Sequence, residues 1–237
     1  MSGHTIQAEV VSIEAVTDYV KIVKLKPLGS ANFKAGQYLQ VVLGAEDKRV
    51  FSIASRPNAE LIELHIGAGP NDAYPQGALD HMAAQQNNGD EVTLEVGLGN
   101  AHLQTDSERP IILMAGGTGF SYTKSIADHL AETKANQQVV MYWGVKDEAS
   151  LYANQAMLTW AENNPNFTYI PVIENSDESW SGKTGYVHQA VMADIENLQD
   201  YDIYLAGPFK MAGIARDDFT AKGALKDRMF ADAFAFI

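Results

Sequence analysis

The spacing of hydrophobic and polar positions changes part way along the chain. Over roughly the first hundred residues the apolar positions come in short, partly alternating runs rich in β-branched side chains, at residues 6–13, 19–25, 38–43, 61–66 and 92–96. Alternation at this length predicts half-buried strands. The runs are separated by Pro27-Leu28-Gly29-Ser30, Arg56-Pro57-Asn58 and Asn87-Asn88-Gly89-Asp90, which supply turn chemistry. Short strands spaced this closely predict an all-β barrel or sandwich. One helix is predicted within this half, over residues 76–85, where Ala78, Leu79, Met82 and Ala83 share a face.

From about residue 110 the pattern alternates between strand and helix. Strands are predicted at 111–115, 138–143, 168–173 and 203–206, and helices at 122–133, 149–161, 187–193 and 210–222. Repeated βα units imply a parallel sheet with helices on both faces. The polar stretch Gln104-Thr105-Asp106-Ser107-Glu108 before Pro110 marks a linker, so domains are expected at 1–104 and 105–237.

Composition narrows the class. The chain has 237 residues, enough for a substantial core, and carries 17 basic against 30 acidic side chains, a net charge of −13. That balance disfavours nucleic acid and anionic membrane surfaces as partners, since both require clustered basic groups. With no cysteine, disulfides, thiol catalysis and Cys-ligated metal or iron–sulfur sites are excluded. No signal peptide or membrane-length apolar run is visible, so a cytoplasmic protein is expected. The acidic pairs Asp147-Glu148 and Asp217-Asp218 lack the surrounding pattern of a metal site and read as solvated faces, so no metal is assigned.

Candidate chemistry begins where the first α/β strand runs into Gly116-Gly117-Thr118-Gly119-Phe120-Ser121. Glycines at the end of a buried strand let a backbone approach a pyrophosphate, and the following helix offers free N–H groups and a positive dipole end. A tight turn with glycine at positive φ accounts for the string equally well. A second glycine turn, Gly207-Pro208-Phe209, follows the last clear strand. Alone it reads as a helix start. Two such turns at one edge of an open α/β sheet favour a dinucleotide crevice.

Two ordered motifs then carry a family resemblance. One is Arg49-Val50-Phe51-Ser52-Ile53-Ala54-Ser55 in the β half, and the other is the glycine turn at 116–121; Gly36-Gln37-Tyr38 and the terminal Asp232-Ala233-Phe234-Ala235-Phe236-Ile237 agree with them. In this order the chain resembles the ferredoxin–NADP reductase superfamily, and within it the NAD(P)H–flavin reductases. The resemblance implies a six-stranded antiparallel flavin-binding β-barrel followed by a Rossmann-like parallel α/β nucleotide-binding domain. It also implies hydride transfer from NADH or NADPH to a flavin (riboflavin, FMN or FAD) in the crevice joining the two domains. Residues carried over are Ser52 as the catalytic group near flavin N5, and Arg49, Val50 and Phe51 along the flavin. His65, Ile66 and Gly67 fall on its other side. Gly116, Gly117, Thr118, Gly119, Phe120, Gly207, Pro208 and Phe209 fall at the nucleotide. Val50 stands where the usual relative has proline.

Relatives that hold FAD tightly carry Gly-x-x-Ser/Thr at a helix start. The nearest string here is Gly77-Ala78-Leu79-Asp80, which offers a carboxylate where a hydroxyl is wanted. The flavin is therefore expected to be an exchangeable substrate. The reduced product would serve ferric chelates, or a flavin-using monooxygenase or luciferase. A reductase that retains its flavin and feeds an iron–sulfur protein remains an alternative, as does a non-catalytic nucleotide-binding subunit. Lys146 beside Asp147 and Glu148 leaves NADH against NADPH open. Phe234 and Phe236 read equally as ring-covering or as core residues, and Trp143 and Trp180 read as packing.

Overall fold

A computed structural model describes residues 3–177 and 179–237. The chain forms two compact units. One contains the residues up to His102 together with Lys124–His129, and the other contains Leu103–Thr123 and Leu130–Ile237.

The first unit is a six-stranded antiparallel sheet of β1 (His4–Ala15), β2 (Val20–Pro27), β3 (Tyr38–Gly44), β4 (Asp47–Ser52), β5 (Ile62–Gly67) and β6 (Val92–Leu98), in the order β4-β3-β6-β1-β2-β5. Alternate residues of these strands point inward. Ala8, Val23, Leu25, Leu39, Val41, Leu64, Ile66, Val92, Leu94 and Val96 form one buried core. The sheet curls until its outer strands meet: Ala54 N–H donates to the Glu63 carbonyl at 2.7 Å, and Glu63 N–H donates to Ser55 Oγ at 3.0 Å. This closure makes the expected β-barrel. Helix α1 (Ala73–Asn88) packs on it through Pro75, Ala78, Leu79 and Met82, an i, i+3, i+4, i+7 stripe. Burying Leu79 and Met82 contributes about 2 kcal/mol each. Gly89, at φ 74°, ends the helix by donating to the Gln85 and Gln86 carbonyls. The helix begins three residues earlier than the apolar pattern predicts, because Tyr74 and Pro75 open it without extending the polar–apolar period.

The second unit is a parallel sheet of β7 (Ile111–Gly116), β8 (Val139–Val145), β9 (Phe167–Ile173), β10 (Lys183–Thr184), β11 (Asp202–Ala206) and β12 (Met229–Phe230), in the order β10-β9-β8-β7-β11-β12. Helices α2 (Phe120–Glu132), α3 (Asn154–Glu162), α4 (Val187–Asp194) and α5 (Phe209–Ala221) connect the strands. Every residue of β7 is buried, as a strand covered on both faces requires. The Rossmann-like reading therefore holds. The helix expected over 149–161 is broken. Asp147 accepts from Ser150 N–H at 3.1 Å and from Ser150 Oγ–H at 2.6 Å, which caps a short 3-10 turn and leaves the helix proper to start at Asn154. The terminal segment forms β12 and a 3-10 turn (Asp232–Ala235). Phe234 packs against the core, while Phe236 is 73% exposed.

Candidate functional site

In the second unit, β7 and β11 are neighbours at the point where strand order reverses. β8 and β9 lie on one side of β7, and β11 on the other. Open parallel sheets bind ligands at the carboxyl ends of strands at such a point. Both strands end there in glycine, and the two turns touch. A Cβ on Gly119 would stand 2.5 Å from the Ala206 carbonyl carbon and 2.8 Å from Gly207 N, and nearer still to the Ala206 oxygen. A Cβ on Gly207 would stand 3.2 Å from Gly116 Cα. Gly117 adopts φ 55°, and a Cβ there would meet nothing within 4 Å, so backbone conformation rather than space favours glycine at that position.

The 3-10 turn Gly117–Gly119 runs directly into α2, so a helix N-terminus stands at the carboxyl end of β7. Ser121, in the first turn of α2, has a buried hydroxyl with no hydrogen-bond partner among the described residues. Closely packed glycines at a helix N-terminus suit a nucleotide pyrophosphate.

Beneath the turn lies an aromatic stack that periodicity alone could not assign. The Trp143 indole N–H donates to the Gly117 carbonyl at 2.9 Å. Its ring stacks on Phe120 with centroids 4.0 Å apart, and Tyr152 meets both rings edge-on. Trp143 therefore does more than pack, because it orients the peptide at the tip of the turn. Phe120 is fully buried in this stack, and its own N–H donates back to the Gly117 and Thr118 carbonyls. Its ring and its N–H are thus engaged within the protein, and it supports the turn from below. Pro208 precedes α5 as its N-cap. Phe209 is 56% exposed and stacks on Phe236 with centroids 5.6 Å apart.

In the first unit, the Arg49–Ser52 string lies on β4, one edge of the sheet, and His65, Ile66 and Gly67 lie on β5, the other edge. The Ala54–Glu63 bond sets an antiparallel register in which Ser52 would next face His65, and Val50 would face Gly67. The described residues form no β4–β5 ladder there. Backbone groups of β4 that point away from β3 are therefore left for other partners, and one of them, Val50 N–H, donates to the Tyr74 hydroxyl at 2.8 Å. Ser52 is half-buried where the two edges part.

His65 does not stand alone. Its Nε2 lies 2.8 Å from Glu63 Oε1, and Lys124 Nζ lies 3.5 Å from the same oxygen and 2.8 Å from Asp128 Oδ2. Burial by itself would raise the Glu63 carboxyl, but the hydrogen bond from His65 and the charge of Lys124 outweigh it and hold the pKa at about 2. A carboxylate is acceptor-only, so the proton between the pair sits on His65 Nε2. The imidazole is buried and held by this network, while Ile66 is turned into the core, which leaves backbone rather than side chains to present from β5.

Gly77-Ala78-Leu79-Asp80 lies in the interior of α1, not at a helix start, so its N–H groups belong to the helix ladder and it cannot cradle a pyrophosphate. The helix begins instead at Asp72-Ala73-Tyr74-Pro75, with a carboxylate at the N-cap and no N–H on Pro75. Among the described residues no cluster of three or more His, Cys, Asp or Glu could hold a metal ion, and no helix is long and apolar enough to cross a membrane.

Comparison with known proteins agrees with this architecture. An oxidoreductase NAD-binding domain matches residues 113–217. The chain is 44% identical over 236 residues to an NAD(P)H-flavin reductase of Vibrio harveyi, covering 98% of this chain and 100% of the relative. It is 45% identical to an NAD(P)H-flavin reductase of Aliivibrio fischeri, covering 98% of this chain and 99% of the relative. Among solved structures, an Amycolatopsis cytochrome P450 reductase superposes with a TM-score of 0.86 at 26% identity, covering 97% of this chain and 69% of that one. The ferredoxin reductase in carbazole 1,9a-dioxygenase gives 0.82 at 25% identity, covering 98% and 69%.

Proposed function

The chain belongs to the NAD(P)H-flavin reductase family and is an NAD(P)H-dependent flavin reductase; from that premise we propose which of its residues do the work. The nicotinamide nucleotide rests on Gly116, Gly117, Thr118, Gly119 and Gly207, with its pyrophosphate at the N-terminus of α2. The flavin lies along the free edge of β4, against Arg49, Val50, Phe51 and Ser52, with the backbone of His65, Ile66 and Gly67 across from it. The observation that carries this reading is the pair of glycine turns at the order reversal of the parallel sheet, packed too closely for any Cβ on Gly119.

When bound, the dihydronicotinamide supplies a hydride and the flavin ring accepts it. Such a transfer needs reacting atoms about 3–3.5 Å apart and aligned, so the protein's part is positioning. The glycine turn offers its N–H groups to the pyrophosphate without reorganising, because Trp143 and Phe120 hold it from below. Ser52 offers a hydroxyl where β4 and β5 part, able to donate to the flavin ring nitrogen that gains charge. The closed Ala54–Glu63 junction and the Glu63–His65–Lys124 network keep that corner of the barrel fixed. Nothing in this set requires an acid or base of unusual pKa.

The flavin is an exchangeable substrate, a reading supported by the lack of a phosphate-receiving helix start at Gly77 and by the carboxylate at the true start of α1. Reduced flavin then leaves for an acceptor such as a ferric chelate or a flavin-using monooxygenase or luciferase.

The test is oxidation of NADH and of NADPH with and without added riboflavin or FMN. Turnover that depends on added flavin is expected. Retained colour and full activity without addition would replace the exchangeable flavin with a tightly held one. In the same assay, Ser52→Ala is expected to lower kcat about tenfold, the value of one hydrogen bond strengthened in the transition state, while leaving the KM for NADH within twofold. Wild-type kcat would remove Ser52 from the mechanism. Trp143→Phe keeps the stack on Phe120 but loses the bond to Gly117. It is expected to raise the KM for NADH about fivefold with the KM for riboflavin unchanged, whereas a residue that only packs would shift neither KM.

A further inference from the structure

The first turn of α1 reaches the outer edge of β4 through Tyr74, which touches Arg49, Val50 and Phe51 beside the proposed flavin position. Tyr74, the second residue of the helix, is 44% exposed, yet its hydroxyl accepts from Val50 N–H at 2.8 Å and its ring lies 6.4 Å from that of Phe51. The Arg49 guanidinium stands over the same ring, 4.7 Å from its centroid, and its Nη1 reaches the Tyr74 carbonyl at 3.5 Å. Two more of its five N–H groups go to one carboxylate: Nε lies 2.5 Å from Asp47 Oδ1 and Nη2 lies 2.9 Å from Asp47 Oδ2, a bidentate pair that offsets the Arg49 charge.

A phosphate is recognised by a cation with free donors, or by a helix start with free N–H groups and no competing carboxylate. Here both cations on the strand are paired with carboxylates, Arg49 with Asp47 and Lys48 with Glu95 at 2.6 Å. The adjoining helix start has Asp72 at its N-cap, lacks an N–H at Pro75, and uses Gln76 N–H on the Asp72 carbonyl. What remains at the edge suits a neutral chain of hydroxyls. The Tyr74 hydroxyl, already accepting from Val50, keeps one proton to donate, and the outer lone pairs of Asp47 can accept.

We propose that Asp47 and Tyr74 are specificity-determining residues, which make this edge read the flavin side chain as an uncharged polyol and disfavour one that ends in phosphate. The inference rests on the placement of the flavin along Arg49, Val50, Phe51 and Ser52. Asp47 acts by occupying and neutralising Arg49, and Tyr74 acts by filling the edge and donating to a hydroxyl.

The test compares KM values for riboflavin and FMN in the full chain at saturating NADH, at low and high salt. Asp47→Asn keeps an acceptor for Arg49 but removes the charge. It is expected to lower the ratio of the FMN to the riboflavin KM about fivefold at low salt, with the effect shrinking at high salt as an exposed charge interaction must. Tyr74→Phe keeps the ring under Arg49 and is expected to raise the riboflavin KM about threefold. An unchanged ratio in Asp47→Asn overturns the proposal. Ser52→Ala, measured alongside, separates the two levels. If it lowers kcat while Asp47→Asn leaves the ratio alone, only this inference fails; if it too is without effect, the placement of the flavin fails with it.

Discussion

Gly119→Ala is expected to reduce NAD(P)H-dependent flavin reduction by about 100-fold or more while leaving flavin binding near wild type. The added methyl meets backbone rather than a side chain that can swing away: the Ala206 carbonyl and Gly207 N lie inside any permitted contact distance. Neither can retreat easily. Ala206 is hydrogen-bonded into β11 beside Ala115, and Gly207 already adopts φ 153° with Gly116 at its back. Relief must therefore part the ends of β7 and β11 or lift the turn, and either change misaligns the N–H groups offered to the pyrophosphate. Overpacking against fixed backbone costs about 3 kcal/mol, and if that cost falls on the nucleotide-bound state it amounts to two orders of magnitude. Gly117→Ala is the internal control. Its Cβ would stand in open space, so only the φ of 55° opposes it, at about 1 kcal/mol. Steady-state kinetics should rank Gly119→Ala far below Gly117→Ala, and quenching of riboflavin fluorescence should show both binding flavin as the parent does. Equal effects would mean that the turn tolerates movement and that its tight approach to Gly207 has no functional part.

The same geometry explains why the nucleotide side of the site could be read from the sequence and the flavin side only partly. Backbone chemistry leaves a compositional trace, since a strand that must end close to another backbone ends in glycine. Both turns, at Gly116 and Gly207, were visible for that reason. β4 carried no such trace. Asp47, Lys48, Arg49 and Ser52 spoil its alternation because it is an edge strand with one side open, and only the ordered motif marked it. Contacts made across the fold leave no local pattern at all. Nothing near Trp143 in sequence points to Gly117, and nothing near Tyr74 points to Val50 or Arg49; the pairing is made by sheet order and by the packing of α1. Phe120 is a further case: its place beside the glycine turn is plain in the sequence, but that its ring is turned down onto Trp143 is set by helical phase and packing. Gly77-Ala78-Leu79-Asp80 offers no phosphate seat in the sequence because of its carboxylate, and none in the fold because α1 has already begun by that point.

Asp202→Ala tests the opposite end of the same sheet, where the expected loss is in stability rather than in catalysis. Asp202 opens β11, is 1% exposed, and has neither carboxylate oxygen in a hydrogen bond among the described residues. Its partners are charges: Arg109 Nε at 3.4 Å and Arg228 Nη1 at 3.7 Å. Arg109 Nε is itself buried without a hydrogen bond, although another of its nitrogens reaches the Gln199 carbonyl. Removing the carboxylate therefore does not simply delete a pair. It leaves the buried Arg109 Nε without its counter-charge, while the rest of the Arg109 and Arg228 side chains, 29% and 38% exposed, stays in water, a loss of about 1–2 kcal/mol, which for a chain of this size lowers Tm by about 2–8 °C. A thermal melt followed by far-UV circular dichroism reads it directly. The carboxylate itself is held at ion-pair rather than hydrogen-bond distance, so the intact pair need not be worth that much. Asp202→Leu combined with Arg109→Met, which replaces buried charge by apolar volume, is expected to recover most of the lost Tm. Ala206 lies four residue steps beyond Asp202, about 13 Å along an extended strand, so kcat at 25 °C should stay at the parent value in both variants. If the single and double variants melt together, the orphaned arginine is not the source of the cost, and Asp202 would instead be holding the strand register between β11 and β7.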